Sequence, residues 1–204
     1  MKLGIIDLET GNIASLIAAI QKLNLQFKVC RSQFDFENTD KLILPGVGAF
    51  KDFMEKIKSN KIDELIKNKI DKNISILGVC VGFQVLFDKS NEFGENKGLS
   101  FLDGEIKSFK DYSKTTKVPH VGWNECQIIN KDKLFEGIDN NSDFYFTHSY
   151  LLKLSDEDIV LTKTKYDIDF VSSVKKNNIY GVQFHPEKSQ SNGLRLLKNF
   201  HDNC

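Results

Sequence analysis

At 204 residues the chain is long enough to bury a core and short enough to form one domain, residues 1–204. Its 28 Lys+Arg balance 28 Asp+Glu, so no basic excess points to nucleic acid, and the scattered lysines read as solvated faces. No apolar run approaches the length needed to cross a membrane and no signal peptide is expected. The four cysteines, Cys30, Cys80, Cys126 and Cys204, are too dispersed for a disulfide framework or a C-x-x-C metal site, so no metal is expected and a reducing cytoplasm fits best.

In chain order, Leu3 to Leu8 is a short apolar strand, and Ile13 to Leu23 carries apolar residues at helical spacing. Strands follow at Phe27 to Cys30 and Leu42 to Leu44, the latter stopping at Pro45-Gly46-Val47-Gly48. Helical patterns run from Ala49 to Ile57 and from Ile62 to Ile70, then Ile74 to Val79 reads as a buried strand. This alternation predicts an α/β fold: a mostly parallel open sheet with helices on both faces. From Gly104 to Phe184 the pattern changes to short strands and turns, at 105–109, 125–129, 144–150, 159–164, 170–174 and 179–184. That half predicts an antiparallel extension, followed by a last helix from Gln190 to Phe200. No linker or repeat interrupts the chain.

The chemistry concentrates at Leu77-Gly78-Val79-Cys80-Val81-Gly82-Phe83-Gln84. A cysteine lies between an apolar strand and a helix-compatible run, Phe83 to Phe87, with a glycine two residues away on each side. That is the pattern of a nucleophile elbow, whose glycines let neighbouring backbone pass where a Cβ would not fit. A helix N-terminus aimed at the sulfur would favour thiolate, the reactive form. A free cysteine is otherwise most often an inert core residue, so the elbow needs partners.

One partner set lies at Gly181-Val182-Gln183-Phe184-His185-Pro186-Glu187-Lys188-Ser189. In extended backbone His185 and Glu187, two apart, point the same way. A histidine oriented by a carboxylate is the base a cysteine nucleophile requires. Pro45-Gly46-Val47-Gly48-Ala49-Phe50 supplies a glycine loop at a strand end, able to aim N–H groups at an oxyanion together with the N–H of Val81. It lacks the Gly-Lys-Ser/Thr ending of a phosphate loop.

The G-x-C-x-G-x-Q frame at Cys80 and the later His185-Pro186-Glu187 resemble the class I (triad) glutamine amidotransferases. The stretches Pro45 to Phe50, Pro119-His120-Val121-Gly122-Trp123-Asn124, Tyr145-Phe146-Thr147-His148-Ser149-Tyr150 and Phe184 to Ser189 are similar to the glutaminase subunits of imidazole glycerol phosphate synthases. So are Asp7 to Asn12 with Ser15. The chain departs from the usual pattern at Leu8-Glu9-Thr10-Gly11-Asn12, where Tyr-Gly-x-Gly-Asn is common, and at Ala14, Val81 and Phe83.

The resemblance implies the flavodoxin-like fold of these amidotransferases and cofactor-free glutamine hydrolysis through a Cys80 thioester, with His185 and Glu187 completing the triad. It implies that Gln84 and Glu92 hold substrate and that backbone at Ser149 and Tyr150 meets its α-carboxylate. It further implies a heterodimer with a (β/α)8-barrel cyclase of histidine biosynthesis, which uses the ammonia to make imidazole glycerol phosphate and AICAR. Asn12, Trp123, Tyr145 and Lys188 match positions near that interface. Two other readings remain open on sequence: a paralogous glutaminase–cyclase pair feeding amidation of a surface sugar, and a non-catalytic binding scaffold.

Overall fold

A computed structural model describes residues 1–9, 13–154 and 157–204. Its first half runs β1 (Lys2–Ile6), α1 (Ala14–Lys22), β2 (Gln26–Cys30), α2 (Gln33–Phe36), β3 (Lys41–Gly46), α3 (Phe50–Ser59), α4 (Ile62–Asp71), β4 (Ser75–Cys80) and α5 (Val81–Gln84). The second half runs β5 (Lys89–Ser90), β6 (Asn96–Lys97), β7 (Glu105–Ser108), β8 (His120–Ile128), β9 (Ser142–His148), β10 (Tyr150–Lys153), β11 (Val160–Tyr166), β12 (Ile168–Lys176), β13 (Ile179–Val182) and α6 (Gln190–Asn203).

Five strands pair in parallel in the order β2-β1-β3-β4-β13. The order reverses at β1, so right-handed crossovers put α1 on one face and α3 and α4 on the other. Accordingly α1 touches α6, whereas α3 touches α4 and α5. In α3, Phe50, Phe53, Met54 and Ile57 form the buried stripe that a helical period places on one face. The buried ammonium of Lys41 donates to the carbonyls of Phe200 (2.8 Å) and His201 (2.7 Å), so β3 satisfies the last turn of α6.

β12 joins β13 antiparallel and opens the second region, where β12 also pairs β10 and β11, and β11 leads to β8 and β9. β10, separate from β9, divides the segment expected as one strand at 144–150. The sheet stays open, with β2 at one edge. The carboxyl ends of β3, β4 and β13 lie side by side, with Gly46 opposite Cys80 and Val182 opposite Val79. In open α/β sheets that edge is where ligands bind. No helix among the described residues is long and apolar enough to cross a membrane.

Candidate active site

Cys80 ends β4 with φ 55° and ψ −112°, a conformation sparsely used by residues with a Cβ. Close packing holds it there. A Cβ on Gly82 would lie 1.8 Å from the carbonyl oxygen of Leu44, one on Gly78 2.6 Å from that of Gly82, and one on Gly46 2.4 Å from the nitrogen of Gly82. The glycines are therefore required by approach of the elbow to β3 and β4. The helix after the elbow is one turn only, Val81–Gln84, where the sequence suggested a run to Phe87. Bonds from Leu86 N–H to Phe83 and from Phe87 N–H to Gln84 tighten the chain there. So short a segment sums few peptide dipoles, so a helix terminus contributes little charge at the sulfur.

The charged partner beside the sulfur is His185. It is 2% exposed, and its Nδ1 lies 2.7 Å from Oε1 of Glu187. This pair forms across a 3-10 turn, Pro186–Lys188, and not along the extended backbone that the spacing suggested. The His185 N–H donates to the carbonyl of Tyr145 at 2.8 Å, fixing the turn to β9. Burial disfavours charge on the imidazole, but Cys80 first and Glu187 second outweigh it and push its pKa up to about 10. Nε2 of His185 is buried without a hydrogen-bond partner. Catalytic contacts of this kind often tighten only around substrate.

A cavity of about 250 Å³ opens here, lined by Val47, Gly48, Cys80, Val81, Gln84, Glu92, Ser149, Tyr150 and His185, together with Pro119, Thr147 and His148. Gly46 and Glu187 are not in this lining; Gly46 pairs with Cys80, and Glu187 bonds His185. Gly48 has φ +94°, and a Cβ placed on it would meet no atom within 4 Å, so the loop is wedged at Gly46 and open at Gly48. Glu92 accepts a 2.7 Å bond from the Phe50 N–H at the start of α3. Burial raises its pKa against that donor's pull. A larger, shallower hollow of about 880 Å³ around Ile128, Phe135 and Lys175 has no cysteine or histidine in its lining.

Two features escaped the sequence reading. Gln183 Nε2 lies 3.8 Å from the Cys80 sulfur, and its Oε1 accepts from Gln84 Nε2 at 2.9 Å. His148 and His120 meet at 3.0 Å, and His148 Nδ1 lies 2.7 Å from the Tyr150 carbonyl. That carbonyl can only accept, so His148 carries its proton on Nδ1 and takes a bond from His120 Nδ1–H. Burial lowers both pKa values, to about 4 for His120 and about 3 for His148, so both are neutral.

On β8 and β9, Trp123 (46% exposed) meets Tyr145 edge-on at 6.0 Å, and the Lys188 ammonium sits 5.5 Å above the Tyr145 ring. Val121 and Val47 are exposed as well. Asn12 lies outside the described residues. Together, a cysteine on an elbow, a carboxylate-oriented imidazole and a glycine loop can carry out acyl transfer.

A sequence model of the class-I glutamine amidotransferases matches residues 4–204. The chain belongs to that family. Among amidotransferase relatives, imidazole glycerol phosphate synthase subunit HisH 1 of Campylobacter jejuni (serotype O:23/36, strain 81-176) is 41% identical, over 97% of this chain and 98% of its own. Subunit HisH of Sulfurimonas denitrificans is 42% identical (97% and 96%), and that of Methanocaldococcus jannaschii 41% (97% and 97%). Solved structures share the fold: a glutamine amidotransferase at TM-score 0.76 (18% identical, covering 97% of this chain and 96% of its own) and PurLQS from Thermotoga maritima at 0.78 (16%, 98% and 97%).

Proposed function

We propose that this chain, as one amidotransferase domain over residues 1–204, is the glutaminase subunit of an imidazole glycerol phosphate synthase. The observation that carries the reading is Cys80 on its strained elbow in one cavity with the His185–Glu187 pair. The HisH relatives, similar over nearly their whole length, supply the pathway.

In this reading the Cys80 thiolate attacks the side-chain amide carbon of glutamine. The N–H of Val81, first in its helical turn and without an intrahelical acceptor, and one from the Gly46–Gly48 loop receive the oxyanion. His185, charged and held by Glu187, gives its proton to the leaving ammonia. A γ-glutamyl thioester remains. Neutral His185 then takes a proton from water, the hydroxide adds to the thioester, and glutamate leaves with Cys80 restored as thiolate. Gln84 and Glu92 hold the substrate amino-acid group, and Ser149 and Tyr150 meet its carboxylate.

The ammonia passes to a (β/α)8-barrel cyclase docked over the face bearing Trp123, Tyr145 and Lys188. That acceptor makes imidazole glycerol phosphate and AICAR in the cytoplasm, a setting suited to four free thiols. The test measures glutamate release by the chain alone, with the cyclase, and with the cyclase plus its acceptor ligand. Release is expected to be slow alone and fastest in the ligand-loaded complex. No release in any arm would refute the assignment.

A further inference from the structure

Gln183 is 1% exposed and follows β13 directly. Its backbone N–H donates to Ser172 at 2.8 Å, so the residue is fixed to β12. Its side chain bridges Gln84 and Cys80, 99 and 103 residues away in sequence. Besides His185, the sulfur lies near the Thr147 carbonyl at 3.9 Å. The Gln183 amide and the Thr147 carbonyl prefer different forms of the cysteine. A carbonyl accepts from a thiol and repels a thiolate. An amide NH2 donates to a thiolate.

The orientation of the bridge is set by the same chemistry. A thiolate has no proton to give, so an amide facing it must present nitrogen. The oxygen of Gln183 then faces away, and the group found there is the NH2 of Gln84. Both amides are buried, and with the sulfur as thiolate this arrangement gives the sulfur a donor and the Gln183 oxygen the Gln84 NH2.

We propose that Gln183, oriented by Gln84, is a positioning residue that holds the Cys80 sulfur as thiolate against the opposing Thr147 carbonyl. The inference rests on Cys80 being the nucleophile. It ties the sulfur to Gln84, which the proposed function places against glutamine, so substrate contact and nucleophile share one buried amide.

The test follows the rate of Cys80 alkylation by iodoacetamide between pH 5 and 9 in the full chain. Peptide mapping identifies the labelled site, and Cys80→Ala supplies the blank. The other titratable groups facing the sulfur are His185 with Glu187, His148 on β9, Glu92 after β5 and Tyr150 on β10, and all stay unchanged. Gln183→Met, which keeps the length and removes the donor, is expected to slow alkylation at pH 7 about tenfold and move the profile up by about one pH unit. Gln183→Glu, nearly isosteric, is expected to move it further by setting a carboxylate beside the sulfur. Glutamine turnover in Gln183→Met is expected to lose kcat with little change in KM. If the Met variant fails to fold, the Glu variant decides. Gln84→Met, which removes the orienting NH2, is expected to shift the profile in the same direction by less.

Wild-type alkylation profiles in the Gln183 variants would overturn the proposal and leave the triad assignment standing. An unmutated chain whose Cys80 does not react at any pH would overturn both.

Discussion

Gly82→Ala is the sharpest perturbation of the elbow. The added Cβ would lie 1.8 Å from the Leu44 carbonyl oxygen and 2.8 Å from its carbon, which is about 1.6 Å short of ordinary contact. The obstacle is backbone, and β3 is held by β1 on one side and β4 on the other. Overfilled cores that relax through side chains lose about 1–3 kcal/mol; a backbone obstacle pinned on both sides should cost at least about 3 kcal/mol. For a chain of this size that is a fall in melting temperature of about 6–12 °C. Gly94→Ala is the control: φ is +105° and no atom lies within 4 Å, so only the backbone conformation is penalised, by about 1–2 kcal/mol. Thermal unfolding of the two variants beside the unmutated chain is the assay. If Gly82→Ala melts no lower than Gly94→Ala, the close approach of the elbow to β3 is not a rigid constraint, and the account of the strained Cys80 backbone fails with it.

Cys80→Ala is expected to abolish glutamine hydrolysis, and an electrophilic glutamine analogue to label Cys80 alone. Burial pushes Cys30 to about 11 and Cys126 to about 12, which keeps both as thiols, and mass mapping that found label there would count against the assignment. His185 has a folded-state pKa of about 10, above the ordinary 6.5, so its charged form stabilises the fold fully below about pH 6.5, and that stability is lost as pH rises through about 10. Glu187→Gln keeps an acceptor but removes the charge, and should flatten the fall of melting temperature from pH 6 to 10; an unchanged slope would refute the pairing. Trp123→Ala should weaken binding to the proposed barrel cyclase by about tenfold or more in calorimetric titration, as truncation of a half-exposed aromatic anchor does. Unchanged affinity would move the interface elsewhere.

The parts legible in the sequence are those whose chemistry is contiguous. The elbow around Cys80, the His185-Pro186-Glu187 run and the Gly46–Gly48 loop each fit within a few residues, and the alternation of strands and helices before Cys80 gives four of the five parallel strands; β13, read with the antiparallel half, is the fifth, because it pairs β4 in parallel. Contacts between distant segments left weaker traces. Gln183 ends the apolar strand Ile179-Tyr180-Gly181-Val182, and a polar residue there was a signal, but its partners lie about a hundred residues earlier. The His120–His148 pair depends on the register of β8 against β9, which alternation alone does not set. The helix after Cys80 was overestimated because Phe83 to Phe87 is apolar enough for either a helix or a buried turn, and the tight packing of Gly78 and Gly82 selects the turn.

The glycine loop beside Cys80 is clamped at both ends and free between them. Gly46 is wedged beneath Gly82, and Glu92 grips the Phe50 N–H, while Gly48 faces open space. Such a segment has one soft coordinate, a crankshaft rotation of the Val47–Gly48 peptide in which ψ of Val47 and φ of Gly48 turn in opposite senses and the flanking atoms stay put. The motion exchanges an N–H for a carbonyl at the cavity wall without displacing β3 or α3. Under the proposed function, a docked partner touching exposed Val47 turns the proposed oxyanion donor on by rotating a single peptide plane. Ammonia release would then be controlled by a local torsion, with the rest of the sheet acting as the fixed frame against which it turns.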